Sequence, residues 1–326
     1  MRVSFLFGGQ VSLTAEVIDE FCERCPSIAL AYEEAAAVTG LSVDRLRARE
    51  LAAEMASEPE DRHSLGALRQ AAFALGLAED LAARGFEPEA AGGLSLGALI
   101  STCVAGAVER HELFGMLHHR RLVPESPEGV AAQGMGLMYT PIGDDPANYY
   151  GERRPGVHLA VDTGPIDDVH RSFVISGYLT ALQEILAEIE ASSDTRQMFV
   201  LDAYKGAFHS PLQQHAADFM RGYVDGMTFH DPKFPVCSPV RQRSLTTADD
   251  IRDFVLHNNL LSARYEPLIQ EMDRIGIRGG LILGPGLPQP AIRPFPVELV
   301  AEPIDLDRLP EIARLLAERD AQVQSV

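Results

Sequence analysis

The sequence predicts an α/β fold in which helices cover a largely parallel sheet. Over residues 1 to about 127, short strand-like apolar runs alternate with helical runs, as they do around parallel sheets. Within this region Ser95 stands between glycines on a predicted turn, directly before a run that fits a buried helix. With 326 residues, the chain is long enough for one large domain that carries a smaller inserted one.

The predicted elements follow one another along the chain. The N-terminus runs directly into a strand-like segment, residues 72–81 have helical apolar spacing, and residues 84–88 turn the chain. Prolines and glycines then crowd between residues 124 and 157. The later predicted elements are strand-like runs at 157–161 and 173–176, an amphipathic run at 179–189, a returning strand at 198–202 and a helix that ends the segment 294–316.

The serine motif predicts a nucleophile. Residues 93–97 read Gly-Leu-Ser-Leu-Gly, and small residues at Gly93 and Gly97 permit a sharp turn that presents the Oγ of Ser95. The amide of Leu96, at the start of the next helix, can face a developing oxyanion. Because Gly-x-Ser-x-Gly also occurs by chance in glycine-rich loops, the motif does not settle the role of Ser95 by itself.

A histidine motif supplies a partner for this serine. Residues 206–212 read Gly-Ala-Phe-His-Ser-Pro-Leu. Pro211 fixes its own φ and biases Ser210 away from the helical region, which predicts a loop that holds His209 ahead of a helix at about 212–226. A structural histidine is the alternative interpretation. Taken with the serine turn, the pattern favours a Ser95–His209 dyad.

Composition excludes several other classes of protein. The content of 46% hydrophobic and 23% charged residues is typical of a soluble globular chain, and no apolar run reaches the length of a membrane span. The N-terminus lacks a signal-peptide layout, and the four cysteines are expected to be reduced thiols in the cytoplasm. The ten histidines form no metal-ligand pattern, and the net charge of −19 argues against nucleic acid as a partner.

Several blocks of the sequence resemble one known family. Residues 3–10, Val-Ser-Phe-Leu-Phe-Gly-Gly-Gln, look like the opening strand and glutamine-bearing turn of malonyl-CoA:acyl-carrier-protein transacylases. The serine and histidine motifs are similar to those of the family in order and spacing. The resemblance spans roughly residues 3 to 286. Further matching blocks lie at residues 128–132, 172–177, 251–253 and 283–286.

The resemblance implies a fold and a catalytic arrangement. It implies a hydrolase-like large subdomain at residues 1–127 and 197–326, with a small ferredoxin-like α+β subdomain inserted at 128–196. The family places an oxyanion between two backbone amides, which here belong to Gln10 and Leu96. It orients the histidine with a backbone carbonyl, which by alignment belongs to Asn258. The order serine then histidine, with no acid between them, separates the chain from ordinary α/β-hydrolases.

The sequence departs from the family at the acyl pocket. Malonyl-specific members carry an arginine on the helix after the serine helix, and it grips the malonate carboxylate. Here that position falls on Gly115, or on Phe114 if one residue is gapped. Leu94, Leu65 and Ala98 likewise replace polar residues of the family. These changes predict a pocket that no longer suits malonate. Three arginines in neighbouring turns are the alternative carboxylate ligands: Arg110, Arg120 and Arg121.

Together these observations predict a trans-acting acyltransferase of polyketide-type biosynthesis. It would move a non-malonyl acyl group from an acyl-carrier-protein or CoA thioester to an acyl carrier protein, through an acyl ester of Ser95. Acyl-carrier-to-acyl-carrier transferases of macrolactam pathways are one such branch. The substrates would carry phosphopantetheine, and we expect no bound cofactor or metal. The alternatives are an editing hydrolase of the same fold, a non-catalytic protein that only binds the carrier and, against the chain order, a lipase-like esterase.

Carrier proteins are themselves acidic, so docking on a chain of charge −19 requires a local basic patch. Arg153 and Arg154 fall in the predicted insertion and are the first candidates. Other basic groups are Arg120 with Arg121, and Arg274 with Arg278. Each could equally be a solvated surface charge.

Overall fold

The computed structural model describes residues 2–11, 13–49, 59–124, 129–192, 195–289 and 293–324. The strands of these residues are β1 Val3–Phe7, β2 Pro88–Gly93, β3 Gln133–Pro141, β4 Val157–Pro165, β5 His170–Tyr178, β6 Gln197–Val200, β7 Val236–Ser238, β8 Arg243–Leu245, β9 Ala263–Arg264, β10 Gly279–Leu283 and β11 Val297–Val300. The helices are α1 Ala15–Arg24, α2 Pro26–Thr39, α3 Val43–Leu46, α4 Pro59–Ala83, α5 Leu96–Val104, α6 Arg110–His119, α7 Leu179–Ala191, α8 Gln214–Asp225, α9 Ala248–His257, α10 Tyr265–Arg274 and α11 Leu309–Gln324.

The larger sheet is parallel over most of its width. Its strand order is β11-β10-β1-β2-β7-β8, and β8 alone joins its neighbour in the antiparallel sense. Every residue of β1 and of β10 is buried, as expected for central strands of a sheet that is covered on both faces. The predicted α/β fold with a parallel sheet is confirmed.

A smaller, mainly antiparallel sheet has the order β6-β3-β5-β4-β9. Because side chains alternate along a strand, its two faces differ. One face carries Met138 and Phe173 and packs on α7 through Leu182 and Ile185. Residues on the other face, such as Leu137, line a cavity that the larger sheet also borders. The cleft between the two sheets is therefore walled by the free face of the small sheet.

The small sheet extends further along the chain than the sequence predicts. The run at 198–202 was expected to return to the large sheet, but β6 pairs with β3 instead, with Met198 opposite Met138. Met198 is buried in the core beneath α7, and this burial fixes the strand in the small sheet. From far downstream, β9 pairs with β4. The small sheet thus takes residues from beyond 196, and the predicted boundary at 127 and 128 lies outside the described residues.

Helix α4 positions the wall of the cleft that faces the serine. It crosses α2 closely, because a side chain at Gly76 would overlap the backbone of Ile28. Its N-terminal half carries His63 and Gln70 to the loop that follows β1. None of the described helices is long and apolar enough to cross a membrane.

Candidate active site

Ser95 stands on a sharp turn between β2 and α5. Its backbone has φ 55° and ψ −114°, a conformation that is strained for a residue with a side chain. The turn lies directly against β1, since a Cβ at either Gly93 or Gly97 would overlap the carbonyl oxygen of Phe7. The glycines therefore allow the backbone to pack tightly while the half-buried serine side chain points out of the turn.

The structure brings His209 to this serine. The Nε2 of His209 lies 2.9 Å from the Oγ of Ser95, which is hydrogen-bond distance. His209 also has a positive φ, of 60°. After it, Ser210 accepts a hydrogen bond from the amide of Leu212 and donates one to the carbonyl of Ala207. The Ser-Pro sequence thus holds the loop, as predicted.

Backbone groups of two residues orient His209. The Nδ1 of His209 lies 3.0 Å from the carbonyl oxygen of Leu261, and the backbone of Asn258, the predicted partner, also acts on the imidazole as an acceptor. Helix α9 ends at His257, and the turn that follows carries the Leu261 carbonyl round to the imidazole. Burial lowers the pKa of His209 to about 4, while the backbones of Leu261 and Asn258 act to raise it. The imidazole is therefore neutral at pH 7.

The side chain of Asn258 has a separate role in the site. Its side-chain Nδ2 donates a 3.1 Å hydrogen bond to the carbonyl of Ser95, and so it braces the strained turn from behind. Its Oδ1 is buried and has no hydrogen-bond partner among the described residues. Since a carbonyl can only accept, the hydrogen bond to Ser95 fixes which end of the amide is the nitrogen.

The two predicted oxyanion amides are free to receive a ligand. Leu96 is the first residue of α5, and its amide faces no acceptor within the helix. Among the described residues, neither this amide nor that of Gln10 has a hydrogen-bond partner. Gln10 is further held by its own side chain, which donates to the carbonyl of His63 at 2.9 Å.

Gln70 fixes the loop that presents Gln10. Its Nε2 donates to the carbonyl of Gly9 at 2.7 Å, and its Oε1 accepts from the amide of Val11 at 2.7 Å. The two bonds bracket Gln10 on both sides. Sequence reasoning missed Gln70 because a glutamine within an apolar helix carries no local sign of its partner.

Ser95, His209, Gln10 and Leu96 line one cavity of about 680 Å³. The small sheet supplies most of its opposite wall. The described lining residues on that wall are Met135, Leu137, Tyr139, Val161, Thr163, Ser172 and Val174. Most of them are apolar, so an apolar surface extends from the nucleophile along this wall of the cavity.

Most of the predicted substrate residues lie outside the cavity that contains the dyad. Leu94 lines the cavity, but Leu65, Phe114 and Gly115 do not. Leu65 faces a separate pocket with Arg121, Phe114 is fully buried in the core, and a Cβ at Gly115 would overlap the hydroxyl of Tyr223. These three assignments are wrong. Each step along a helix turns the side chain by about 100°, so a small alignment offset on α6 changes the face.

Arg120 is the arginine that reaches the cavity. Burial lowers the pKa of its guanidinium to about 10, which leaves it charged at pH 7. In the described part of the chain it has neither a hydrogen bond nor an ion pair through its side chain. The other two candidate arginines have carboxylate partners. Arg110 pairs with glutamates, and Arg121 lies 3.9 Å from a carboxylate oxygen of Asp61. Within its described lining, the cavity therefore holds an unpaired cation.

His63 is a second imidazole at the cavity, and sequence reasoning did not find it. Its ring stacks on Phe208 with centroids 5.1 Å apart and meets the edge of Tyr204. Burial lowers the pKa of His63 to about 3, and the charge of Arg120 acts in the same direction. His63 is therefore a neutral donor or acceptor beside Arg120.

The candidate docking arginines differ in how they are paired. Arg154 donates to Glu188 at 2.7 Å, Arg274 binds Glu271, and Arg278 lies 3.2 Å from Asp273. Arg153 is exposed and donates to the side chain of Asn148, which is neutral. Arg153 therefore keeps the charge that the patch requires, whereas that of Arg154 is largely compensated.

Comparisons with known proteins agree with this geometry. No protein-family model matches the chain. The malonyl CoA-acyl carrier protein transacylase of Bacillus subtilis is 24% identical over 295 residues, which are 87% of each protein. The chain is thus similar to malonyl-CoA:acyl-carrier-protein transacylases over most of its length, and the comparisons identify it as an acyltransferase.

Two further matches extend the comparison. A polyunsaturated fatty acid synthase polypeptide of Thraustochytrium is 28% identical over 214 residues, which are 66% of this acyltransferase but only 7% of the synthase polypeptide. A solved complex of a type II polyketide acyl-carrier protein with its malonyl-transacylase superposes with a TM-score of 0.79 at 19% identity. That alignment covers 95% of this acyltransferase and 99% of the solved chain, and it shows a common fold. In the described residues no group of histidines, cysteines and carboxylates could hold a metal ion.

Proposed function

We propose that the protein is a trans-acting acyltransferase that moves a non-malonyl acyl group between thioesters in polyketide-type biosynthesis. The donor is an acyl carrier protein or CoA, the acceptor is an acyl carrier protein, and Ser95 carries the acyl group between them. The observation that carries the proposal is the 2.9 Å contact between the Oγ of Ser95 and the Nε2 of His209. It lies in a cavity that is also lined by Gln10 and Leu96, whose amides have no hydrogen-bond partner among the described residues and can receive an oxyanion.

The contacts of His209 define the direction of proton transfer. Its Nδ1–H donates to the carbonyl of Leu261, which leaves the lone pair of Nε2 to accept the proton of Ser95. As that proton moves, Oγ attacks the thioester carbon and the carbonyl oxygen becomes an oxyanion between the amides of Gln10 and Leu96. When the tetrahedral intermediate collapses, the C–S bond breaks and the thiol leaves with the proton from Nε2.

Deacylation uses the same groups in reverse. A second phosphopantetheine thiol gives its proton to His209 and attacks the ester of Ser95, and the serine leaves with that proton. The Leu261 carbonyl is a neutral partner, so it holds the tautomer without the charge that a carboxylate would give the imidazolium. A thiol is more acidic than water and is therefore the easier nucleophile for so weak a base. This favours transfer over hydrolysis.

The choice of a non-malonyl group is supported by the lining of the cavity. Leu94 stands beside the nucleophile, and the free face of the small sheet is mainly apolar. A malonyl group is small and charged, and its carboxylate would face this apolar wall. The unpaired Arg120 favours a second candidate, an acyl group that carries a carboxylate, because guanidinium binds carboxylate in a bidentate manner.

An acyl carrier protein is the partner on this proposal. The solved relative in complex with its carrier protein supports it, and so does the open cleft between the two sheets, which admits a phosphopantetheine arm. The cytoplasmic location predicted from the cysteines stays a prediction.

The test is intact-mass spectrometry of the protein after exposure to a panel of acyl-CoA and acyl-carrier thioesters. We expect a mass increase on Ser95 from neutral acyl groups, with little from malonyl, and its loss when a second carrier is added. Ser95→Ala should show none, and His209→Ala should acylate roughly 10²–10⁴-fold more slowly. Discharge by water at the same rate as by carrier would make the protein a hydrolase.

Arg120→Gln separates the two candidate acyl groups. If malonyl loads efficiently on the wild type and Arg120→Gln abolishes that loading alone, the substrate carries a carboxylate and the non-malonyl assignment is wrong. If Arg120→Gln leaves the loading of neutral groups unchanged and malonyl loads poorly on both proteins, the assignment holds.

A further inference from the structure

A second, smaller cavity lies behind Phe208. It is enclosed by α5, α6, α8 and α9 together with the loop that carries His209, and it measures about 90 Å³. We call it the rear chamber. Its apolar lining residues include Leu99, Met116, Ala217, Met220, Val224 and Val255. The proposed chemistry uses none of them.

The rear chamber adjoins the cavity that holds the nucleophile. Four side chains line both spaces: His63, Arg120, Phe208 and Asn259. Leu99 lies on the first turn of α5, which begins directly after Ser95, so about one helical turn, or about 5.4 Å, separates the two residues along the helix axis. The chamber therefore begins where an acyl chain on Ser95 reaches after its first few carbon atoms.

We propose that the rear chamber holds the apolar distal part of the transferred acyl group, an inference that rests on the proposed function. A cavity of roughly 150 Å³ takes up benzene, so about 90 Å³ is room for about four carbon atoms. About three or four more carbons span the turn between Ser95 and Leu99. The acyl group then has a chain of about seven or eight carbon atoms.

A second observation indicates a polar group near the thioester end of that chain. Asn258 lines the rear chamber, its Nδ2 is committed to the carbonyl of Ser95, and its buried Oδ1 has no partner among the described residues. An unpaired buried acceptor is unfavourable unless a ligand supplies a donor. A hydroxyl or amine on the third carbon of the acyl chain is such a donor, close to the ester on Ser95.

The first experiment measures the rate at which pantetheine thioesters acylate the wild-type protein, by intact mass. Small thioesters are used so that carrier docking plays no part. We expect octanoyl to load at least about tenfold faster than acetyl, since each buried methylene contributes about fourfold. A 3-hydroxyoctanoyl thioester should load faster still. Acetyl loading as fast as octanoyl overturns the chamber, and no advantage for the hydroxyl overturns the role of Asn258.

The second experiment fills the chamber. Ala217→Leu adds three carbon atoms to its wall, whereas Gly222→Leu is the matched control on the same helix, where an added side chain meets open space. Ala217→Leu should lower octanoyl loading at least about tenfold and leave acetyl loading within about twofold. The control should change neither. Equal losses for both thioesters would place the pantetheine arm in the chamber and overturn the proposal.

A variant that enlarges the chamber tests the proposal independently, in case Ala217→Leu does not fold. Met220→Ala should extend efficient loading from octanoyl to decanoyl, and no such extension counts against the chamber. Failure of the proposed function has a different signature, because then no thioester of any length acylates Ser95 in the wild-type protein.

Discussion

Ser95 and His209 both have positive φ angles, 55° and 60°, and their side chains meet with Oγ and Nε2 2.9 Å apart. Such backbone conformations cost on the order of 1 kcal/mol or more for residues with a side chain. The nucleophile and its base each stand where the chain reverses before a helix. Surrounding contacts hold both turns: Asn258 bonds the carbonyl of Ser95, and Ser210 bonds the loop around His209. The two residues proposed to carry out the reaction therefore both have strained backbone conformations.

Glycine at position 95 should relieve this strain, whereas alanine keeps it. Ser95→Gly and Ser95→Ala both remove Oγ, so neither can form an acyl-enzyme. We expect Ser95→Gly to have the larger free energy of unfolding, by about 1 kcal/mol, even though glycine gains entropy in the unfolded chain. Urea denaturation of the two variants gives the comparison. Equal stability would mean that the turn relaxes freely around alanine and stores no strain.

The buried histidines predict how stability depends on pH. Burial lowers the pKa of His63 to about 3 and that of His209 to about 4, below the usual value near 6.5. Between about pH 6.5 and 4 the unfolded chain binds protons that the folded protein does not. The free energy of unfolding should therefore decrease as the pH is lowered through this window, by about 1 kcal/mol per pH unit for each histidine.

His63→Phe tests this dependence without disturbing the dyad, because phenylalanine can keep the stacking on Phe208. The variant should lose less stability than the wild type between pH 7 and pH 5, measured by urea denaturation. His111→Phe, at an exposed position of α6, is the control. An unchanged pH slope in His63→Phe would show that His63 takes up its proton as readily in the folded protein.

Local motifs predicted the dyad, whereas the walls of the site depend on long-range contacts. Ser95 and His209 carry glycine and proline signals in their own neighbourhoods. The partners of His209 depend on a turn after α9, where the Leu261 carbonyl joins the expected Asn258. Gln70 gives no signal until β1 and α4 are packed together. Likewise β6 has a strand pattern that fits either sheet, and its burial beneath α7 decides the choice.

Gly115→Arg should not create a malonyl site. Position 115 faces Tyr223 and lies outside the cavity, so an arginine there has no path to an acyl group on Ser95. We expect unchanged selectivity between malonyl and neutral thioesters, with reduced thermal stability because the side chain must displace Tyr223. Gly115→Ala is the milder companion variant. A clear gain in malonyl loading by Gly115→Arg would show that α6 turns its other face to the cavity in solution.

Gln70 should act on the rate of the chemical step through the position of Gln10. Gln70→Leu removes both bonds that bracket the Gln10 amide, while a side chain of similar size keeps the helix packed. We expect kcat to fall by roughly 10- to 100-fold with KM changed little, because the oxyanion forms only after substrate is bound. Gln214→Leu, on the exposed side of α8, should change neither parameter. A rise in KM with kcat preserved would make Gln70 a residue of substrate binding.

The two candidate docking arginines should not contribute equally. Arg153 is exposed and donates to the neutral side chain of Asn148, whereas Arg154 is paired with Glu188. Arg153→Glu should therefore raise the apparent KM for an acyl-carrier substrate, and the effect should shrink as salt is added, since exposed charges are screened over about 10 Å at about 0.1 M.

Arg154→Gln serves as the matched comparison, because it frees Glu188 without adding a new charge. We expect it to change KM less than Arg153→Glu does. A small pantetheine thioester touches no docking surface, so its kinetics should be nearly unchanged in both variants. If the apparent KM rises equally for the pantetheine and the carrier substrate, the arginines support the fold or the active site. If the apparent KM changes for neither substrate, the carrier protein docks elsewhere. Charge reversal of Arg274 and Arg278 is then the next test.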